Sequence, residues 1–290
     1  MFEGSYAVVI NPKSRLGTEA SATLRPRLEP EAEFFRLVTS VGAFDRAMEE
    51  AVNRKIQTVF VGGGDGTIRQ AARHLVGTET TLGILPFGTG NSLARELGIP
   101  LALDMVVPFF REVAHVRKID VGTFNGEVFV NVATLGLTSR IASALKVLPK
   151  SQLGRWAYLP ALVAAASLTR SQRIVVETNS GVFEGQALQM VAASTRLHSG
   201  PFAVTKNAAI DDGKLSIYVL EKGDRAALLE FGLALLVGRH CDLPNVWAVD
   251  VAEATVTLGR PSKFVLDGDP FRAQKVALGV RAGALKVLAE

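Results

Sequence analysis

The sequence predicts an α/β domain with a parallel sheet, followed by a mostly antiparallel β domain, so the fold is α+β overall. Up to about residue 121, apolar segments of strand length alternate with segments in which apolar residues recur at helical spacing. From residue 122 onward, most segments read as strands joined by turns. The chain has 290 residues, enough for two domains that each bury a core. We therefore expect one domain over residues 1–121 and a second over residues 122–290.

The first half contains the alternation that is typical of a parallel sheet. The predicted strands are residues 7–10, 32–38, 59–61 and 82–85, and the predicted helices are residues 18–28, 44–52, 67–75 and 92–97. Strands and helices that alternate in this way are joined by right-handed crossovers. Ligands bind beyond the carboxyl ends of such strands, and turns at Asn11, Gly64 and Thr89 are expected to lie there.

The second half is predicted to be rich in β structure. Its predicted strands are residues 121–133, 174–178, 186–193, 214–220, 254–258 and 275–288. Helices are expected at residues 154–168 and 225–237, where apolar residues continue over longer stretches. Because the regular strand–helix alternation is missing, an antiparallel arrangement is expected.

Composition narrows the classes of function. Cys241 is the only cysteine, so no intrachain disulfide can form and a reducing compartment, the cytoplasm, is expected. Neither a signal peptide nor a segment that could span a bilayer is recognisable in the sequence. A net charge of +4 favours an anionic partner such as a nucleotide, a phosphate or an acidic lipid surface. Arginine-rich stripes with interleaved aromatic residues are missing, so nucleic acid is not an expected partner.

A glycine-rich acidic turn follows the predicted strand at residues 59–61. It reads Gly-Gly-Gly-Asp-Gly-Thr over residues 62–67. The glycines allow backbone angles that side chains forbid, and Gly66 or Thr67 is expected as the N-cap of the next helix. Such a turn directs free backbone N–H groups at one point, where an anionic group is favoured. Asp65 would repel a phosphate there unless a metal ion or a proton transfer requires it, so the turn predicts phosphate chemistry.

The same residues exclude two common phosphate-binding motifs. No Gly-Lys-Ser/Thr follows, so the lysine of a P-loop is missing. Thr67 stands where the third glycine of a dinucleotide-binding motif belongs. Neither a P-loop NTPase nor an ordinary dehydrogenase is predicted.

Three further stretches carry polar residues suited to chemistry. They read Ala-Ile-Asp-Asp-Gly-Lys over residues 209–214, Val-Leu-Asp-Gly-Asp-Pro over residues 265–270, and Ser-Thr-Arg over residues 194–196. Taken singly, an Asp-Gly pair is a common hairpin corner. These stretches indicate a function only in combination with residues 62–67.

Taken together, the motifs resemble the diacylglycerol kinase catalytic-domain family, and within it the soluble bacterial lipid kinases, which are relatives of the sphingosine kinases. The resemblance rests on residues 62–67, 85–95, 211–213 and 266–270, and it includes residues 131–136 and 238–240. It extends from Asn11-Pro12 to the C-terminus. The motif at residues 62–67 is shared with NAD kinases, whereas Leu-Pro-Phe-Gly-Thr-Gly-Asn-Ser-Leu-Ala-Arg at residues 85–95 favours the lipid kinases. The implied fold is the one that NAD kinases and diacylglycerol kinases share.

This resemblance implies a kinase that transfers the γ-phosphoryl group of ATP to a hydroxyl of a diacylglycerol-like lipid. The residues that it places at the nucleotide are Asn11, Thr39, Gly63, Gly64, Asp65, Gly66, Thr67, Ile68, Arg69, Gln70 and Thr89. Mg²⁺ is implied beside the phosphates, where it would offset the charge of Asp65. A structural Mg²⁺ site is implied at Ala209, Asp212 and Lys214, with two carbonyls and one carboxylate as oxygen ligands.

The acceptor side of the reaction is also implied by the resemblance. Asp269 occupies the position of the acid that takes the proton of the acceptor hydroxyl, with Asp267 as its neighbour and Asp65 as a further catalytic residue. The family has a glutamate at the position of Asp269, which is longer by one methylene. The reach of the expected base is therefore shorter in this chain.

The chain departs from the family pattern at the nucleotide side as well. Where the family reads Gly-Asp-Gly-Thr-x-Asn-Glu, this chain has Arg69 and Gln70 at the last two positions. Ser92 stands where many bacterial members have aspartate. Two other functions remain open: an NAD kinase-like enzyme, which would share the motif at residues 62–67, and a lipid- or nucleotide-binding protein that has lost catalysis, which the residues at positions 69, 70 and 269 suggest.

A lipid substrate implies transient contact with a membrane surface by an otherwise cytoplasmic protein. The helix around Trp156, with Lys146, Lys150 and Arg155 beside it, either packs against the second sheet or forms a docking face, since aromatic and basic residues suit the lipid interface. A homodimer is compatible with the resemblance. The acceptor lipid itself is not predicted.

Overall fold

The computed structural model describes residues 4–137, 169–198, 202–205 and 208–290. The chain divides into two compact units. The first comprises the chain up to Val121 together with Ala282–Glu290, and the second comprises Gly122–Arg281. The helix predicted at residues 154–168 lies outside the described residues.

The first unit is built on a parallel sheet, as the sequence predicts. Its strands are β1 (Tyr6–Ile10), β2 (Phe35–Leu37), β3 (Thr58–Gly63) and β4 (Thr81–Pro86), and its helices are α1 (Gly17–Leu28), α2 (Val41–Asn53), α3 (Asp65–Leu75), α4 (Ser92–Glu96) and α5 (Leu103–Glu112). The strands pair in the order β4-β3-β1-β2, and each of these pairings is parallel. Strands β1 and β4 are buried along their whole length, which explains why they read as continuous apolar runs.

Helix α5 is an element that the sequence does not predict. Pro108 lies inside it, and a proline normally interrupts a helix. The helix nevertheless forms because its apolar face is buried, and Phe110 packs against Phe60 with ring centroids 5.1 Å apart. Tertiary packing therefore outweighs the local signal at this position.

The C-terminal residues return to the first unit. Strand β15 (Asp269–Ala289) begins in the second unit, and its end pairs in parallel with β4, with Val287 opposite Leu82. The Gly77 N–H donates to the Ala284 carbonyl at 2.8 Å in the same region. Residues 282–290, which the sequence predicts to be part of the second domain, therefore belong to the first unit. A strand's partner is not encoded in its own periodicity, so the local pattern could not reveal this.

The second unit is antiparallel, as predicted. Its strands are the end of β5 (His115–Phe124), β6 (Glu127–Phe129), β7 (Val132–Gly136), β8 (Gln172–Thr178), β9 (Gly181–Ala193), β10 (Leu197–His198), β11 (Phe202–Ala203), β12 (Leu215–Glu221), β13 (Val246–Val251), β14 (Glu253–Leu266) and most of β15. The main path runs β13-β12-β9-β7-β14-β15, with β8 paired to both β9 and β14. Helix α6 (Arg225–Leu236) begins after Asp224, whose carboxylate accepts a hydrogen bond from the Ala227 N–H at 2.9 Å.

The strand predicted at residues 121–133 is wrong in one respect. Asn125 and Gly126 both have positive φ and form the turn of a hairpin between β5 and β6. An Asn-Gly pair between strands is a strong turn signal, and the continuous apolar pattern on either side of it obscured the turn.

Candidate active site

The carboxyl ends of β1 to β4 lie at one edge of the first unit's sheet, because these strands are parallel. The turns beyond them carry residues that the family resemblance places at the nucleotide. Asn11 follows β1, Thr39 lies beyond β2, Gly64 follows β3, and Thr89 lies beyond β4. Bound ligands occupy this edge in folds of this class.

Hydrogen bonds join three of these turns directly. The Asn11 main-chain N–H donates to the Gly62 carbonyl at 2.8 Å, and the Asn11 side-chain amide donates to the Thr67 hydroxyl at 3.4 Å. The Phe87 N–H donates to the Gly63 carbonyl at 3.0 Å. The turns after β1, β3 and β4 therefore form one continuous surface.

The glycines at the end of β3 are required by space, which corrects the expectation that unusual backbone angles require them. Gly62, Gly63 and Gly64 do not have positive φ. A Cβ atom at Gly62 would lie 2.4 Å from the Phe87 ring, and one at Gly63 would lie 2.4 Å from the Thr67 Cβ. Gly62 and Gly63 are thus packed so tightly against their neighbours that no side chain fits there, whereas a Cβ atom at Gly64 would lie 3.3 Å from the Gly88 Cα.

Gly66 is the exception, because a side chain at this position would point into open space. Among the described residues, a Cβ atom at Gly66 would meet nothing within 4 Å. Gly66 is exposed in the first turn of α3, a helix that begins at Asp65 with Gly64 as its N-cap. The N-cap predicted at Gly66 or Thr67 is therefore wrong by two or more residues. The N–H groups of the first turn have no partner within the helix, and they form a place where an anion is favoured.

The Asp65 carboxylate faces the turn after β4. Its Oδ1 accepts a hydrogen bond from the Ser92 N–H at 2.7 Å, and its Oδ2 accepts one from the Asn91 N–H at 3.1 Å. Burial raises the pKa of the Asp65 carboxyl above its ordinary value, although these N–H groups and the charge of Arg95 act in the opposite direction. The aspartate therefore ties two glycine-rich turns together, and its raised pKa makes it a stronger base.

Asn91 fixes the shape of the turn after β4. It has a left-handed backbone conformation with φ of 50°, which asparagine tolerates better than most residues. Its Oδ1 accepts from the Gly88 N–H at 2.9 Å, and its Nδ2 donates to the Pro86 and Gly88 carbonyls at 3.2 and 3.1 Å. Asn91 is missing from the predicted site residues, although the resemblance includes it. The exposed Thr89 lies at the tip of the turn that Asn91 closes.

The residues that follow Thr67 are less accessible than their predicted role suggests. Ile68 and Arg69 are each only 3% exposed, and Gln70 donates a hydrogen bond to Asp45. Nucleotide contacts by these three side chains stay a prediction. The exposed part of the α3 N-terminus ends at Thr67.

Lys13 is a cation at this edge that the sequence does not single out. Its main-chain N–H donates to the Asn11 side-chain oxygen at 3.0 Å, and its ammonium donates to the Thr39 carbonyl at 2.8 Å. The side chain is exposed. It bridges two turns that carry predicted nucleotide contacts. A lysine beside an Asn-Pro turn belongs to no common phosphate motif, so pattern reasoning had no signal for it.

In the second unit, Asp267 and Gly268 form the two-residue turn of the hairpin between β14 and β15. Both have positive φ, and Leu266 pairs with Asp269 across the turn. The Asp267 carboxylate is buried and accepts hydrogen bonds from the N–H groups of Val130, Asn131 and Val132 at 2.7, 3.0 and 2.9 Å. Asp267 thus anchors the connection between β6 and β7, an observation that favours a supporting role over direct chemistry.

Asp269 is the exposed first residue of β15. It directly follows the turn at Asp267 and Gly268, which the hydrogen bonds of the Asp267 carboxylate fix in place. The position of Asp269 is therefore well defined while its side chain remains accessible. Both are properties that a general base requires.

The predicted structural Mg²⁺ site falls on a tight turn. Gly213 has φ of 70°, and the Asp212 carboxylate accepts a hydrogen bond from the Lys214 N–H at 3.0 Å. Within the described ranges, no group of three His, Cys, Asp or Glu side chains could hold a metal ion. The predicted ligands include the carbonyls of Ala209 and Lys214, and an all-oxygen donor set fits a hard cation such as Mg²⁺. The site stays a prediction.

The expected membrane-docking helix around Trp156, with Lys146, Lys150 and Arg155, lies outside the described residues. Among the helices that the structure does describe, none has the length and apolar composition that crossing a bilayer requires.

Comparison with known proteins decides the family. The family model described as "Diacylglycerol kinase catalytic domain" matches residues 5–124, and the one described as "YegS C-terminal NAD kinase beta sandwich-like domain" matches residues 131–289. The second match alone spans more than half of the chain. The chain belongs to the YegS-like and diacylglycerol kinase family. This confirms the resemblance that the motifs indicate.

Relatives of this family member come from several bacteria. It is 29% identical to a "Probable lipid kinase YegS-like" of Pseudomonas aeruginosa, over 99% of this chain and 95% of the relative. It is 27% identical to a "Diacylglycerol kinase" of Bacillus subtilis, over 80% of this chain and 77% of the relative. A crystal structure of a diacylglycerol kinase from Bacillus anthracis superimposes with a TM-score of 0.76 at 18% identity, over 99% of this chain and 97% of that one. The last comparison shows a common fold.

Two glycine substitutions test whether the open space at Gly66 serves a ligand and whether Gly62 is required by packing. We expect Gly66→Ala to leave the Tm unchanged or raise it by a few degrees, since alanine favours a helix over glycine by about 0.5–1 kcal/mol. If an anion binds at the open first turn of α3, the added methyl group should raise the KM for ATP about tenfold. Gly62→Ala should instead lower the Tm, because overpacking against Phe87 costs about 1–3 kcal/mol. Calorimetry and initial-rate measurements check both. An unchanged KM in Gly66→Ala would contradict the anion site.

Asp267→Asn tests the anchoring role of that carboxylate. An amide cannot accept hydrogen bonds on both of its atoms, so at least one buried N–H loses its acceptor, at a cost of about 1–3 kcal/mol. The Tm should fall by several degrees. Thermal unfolding by circular dichroism measures this, and a Tm equal to that of the unmodified protein would exclude the anchor.

Proposed function

We propose that this protein is an ATP- and Mg²⁺-dependent lipid kinase that transfers the γ-phosphoryl group to a hydroxyl of a diacylglycerol-like lipid. One observation carries the proposal: the first turn of α3 leaves open space at Gly66, directly after the tightly packed Gly62 and Gly63, at the ligand-binding edge of a parallel sheet. Family membership supports it, since both named relatives are called lipid or diacylglycerol kinases.

The first unit supplies binding and orientation. The N–H groups at Gly64 to Thr67 bind the phosphates, and the Lys13 ammonium adds positive charge at the same edge. Asp65 and Asn91 hold the turn after β4 in place beside them. Mg²⁺, when bound with ATP, neutralises charge on the phosphates. Since the transferred group needs little covalent assistance, positioning and charge neutralisation account for most of the rate.

Asp269 acts on the acceptor in this proposal. Its carboxylate takes the proton of the lipid hydroxyl, the hydroxyl oxygen bonds to the γ-phosphorus, and the bond between that phosphorus and the bridging oxygen of ADP breaks. The products are a phosphorylated lipid and ADP. Asp267 supports Asp269 indirectly, because its hydrogen bonds stabilise the turn that precedes Asp269. The transient membrane contact and a homodimer, neither of which the described residues address, are part of the same proposal.

An NAD kinase-like activity is the second candidate. It rests on the motif at residues 62–67, which NAD kinases share, whereas residues 85–95 favour the lipid kinases. The two candidates differ in the acceptor alone, a lipid hydroxyl in one case and a soluble nucleotide in the other. A family member that binds without catalysis is the third.

The decisive experiment measures transfer from γ-labelled ATP to a panel of lipids and to NAD, with Mg²⁺ and with EDTA. We expect a labelled lipid in the presence of Mg²⁺ and none with EDTA. Asp269→Asn should lower kcat at least about a hundredfold, the usual contribution of general-base catalysis, without a change in Tm. A labelled nucleotide would favour the NAD kinase-like alternative, and no product from any acceptor would favour the binding protein.

Lys13→Met tests the cation at the sheet edge. Loss of a charge-assisted contact to phosphate should raise the KM for ATP about fivefold, with a smaller effect on the KM for the lipid. Lys118→Met is the matched control, because Lys118 is an exposed lysine on β5 of the same chain. Equal KM values for ATP in the two variants would remove Lys13 from the site.

A further inference from the structure

Gln70, Asp45 and His74 form a polar cluster between α2 and α3. The Gln70 side-chain amide donates to the Asp45 Oδ1 at 2.9 Å, and the His74 Nε2 lies 2.8 Å from the same oxygen. Gln70 and His74 are one helical turn apart on α3, so they present their polar groups to one carboxylate on α2. All three residues are shielded from solvent to some degree.

The Asp45 carboxylate stays ionised in the folded protein. Burial on its own would raise the pKa of Asp45, but the hydrogen bonds from Gln70 and His74 and the nearby charge of Arg73 outweigh that effect and lower it. Asp45 is therefore a carboxylate anion that requires donors from α3. Gln70 meets this requirement with a side-chain N–H, whereas an ionised glutamate has no donor and a protonated one would donate through its O–H.

The cluster lies close to the N-termini of both helices. Asp45 is five residues beyond Ser40, the N-cap of α2, and Gln70 is six residues beyond Gly64, the N-cap of α3, so each is within about 9 Å of its helix start. Thr39 immediately precedes the first of these N-caps. The link between Asp45 and Gln70 therefore joins α2 to α3 within about two helical turns of the starts that carry Thr39 and Gly64.

We propose that Gln70 is a positioning residue, matched to Asp45, that sets the spacing between the Thr39 turn and the phosphate-binding start of α3. This rests on the proposed function, because it concerns the same nucleotide site. It gives a physical reason for the departure from the family pattern at this position: a glutamate at residue 70 would place a second carboxylate within hydrogen-bonding distance of Asp45. Two carboxylates at that distance cannot both stay ionised without moving apart.

The test introduces the family's glutamate at residue 70, and we expect lower stability and weaker ATP binding. Gln70→Glu should lower the Tm by about 4 °C and raise the KM for ATP about fivefold, while the KM for the lipid is unchanged. In Asp45→Asn/Gln70→Glu the donor and the acceptor are exchanged between the two helices, so both the Tm and the KM for ATP should return most of the way to the original values. Gln57→Glu is the matched control: it adds the same charge at an exposed glutamine outside the cluster, and neither quantity should change.

Nucleotide binding is measured alongside, with a non-hydrolysable ATP analogue, so that the two proposals can fail separately. If the unmodified protein binds the analogue and Gln70→Glu binds it equally well, the positioning role is wrong and the proposed function stands. If the double variant is no better than Gln70→Glu, the match between the two residues is wrong. If the unmodified protein binds no nucleotide, the proposed function and the positioning role both fall.

Discussion

The site depends on a carboxylate that is surrounded by backbone N–H groups. Asp65 accepts hydrogen bonds from Ser92 and Asn91, and through them it joins the turn after β3 to the turn after β4. Ionised acceptors form hydrogen bonds roughly twice as strong as neutral ones, so this contact is well suited to hold two chain segments that have almost no side chains of their own. Together with the hydrogen bond from the Phe87 N–H to the Gly63 carbonyl, it fixes the first turn of α3 relative to the turn closed by Asn91.

The second unit repeats the device. Asp267 accepts three backbone hydrogen bonds from the connection between β6 and β7, and it thereby holds the hairpin from which Asp269 projects. The aspartate of each of these two Asp-Gly motifs thus stabilises a neighbouring turn. An aspartate in such a motif can be interpreted as a catalytic residue or as a hydrogen-bond acceptor for backbone N–H groups. In this protein the second description fits the backbone hydrogen bonds of Asp65 and Asp267, and chemistry is proposed on the basis of what they hold in place.

Glycine has two different functions within a few residues of the same turn. At Gly62 and Gly63, a side chain would collide with Phe87 and Thr67, so the residues are small because the turns pack against each other. At Gly66 the protein leaves room that its own atoms do not use. A run of glycines in a sequence does not distinguish these cases, because both produce the same letter. The difference matters for function, since only the second kind of glycine leaves space for a ligand.

The sequence by itself determined the two-part architecture, the parallel sheet, the turns at its edge and the family, because periodicity and short motifs are local properties of the chain. It also marked the glycine-rich turn before α3 and the hairpin corner at Asp267 and Gly268. Only the tertiary structure decided that residues 282–290 join the first unit, that α5 forms despite Pro108, and that Gln70 is bound to Asp45. Each of these depends on a partner far away in the sequence: β4, the Phe60 ring or a residue on another helix. Local patterns carry no record of such partners, since the free energy that selects them arises only when the segments pack together.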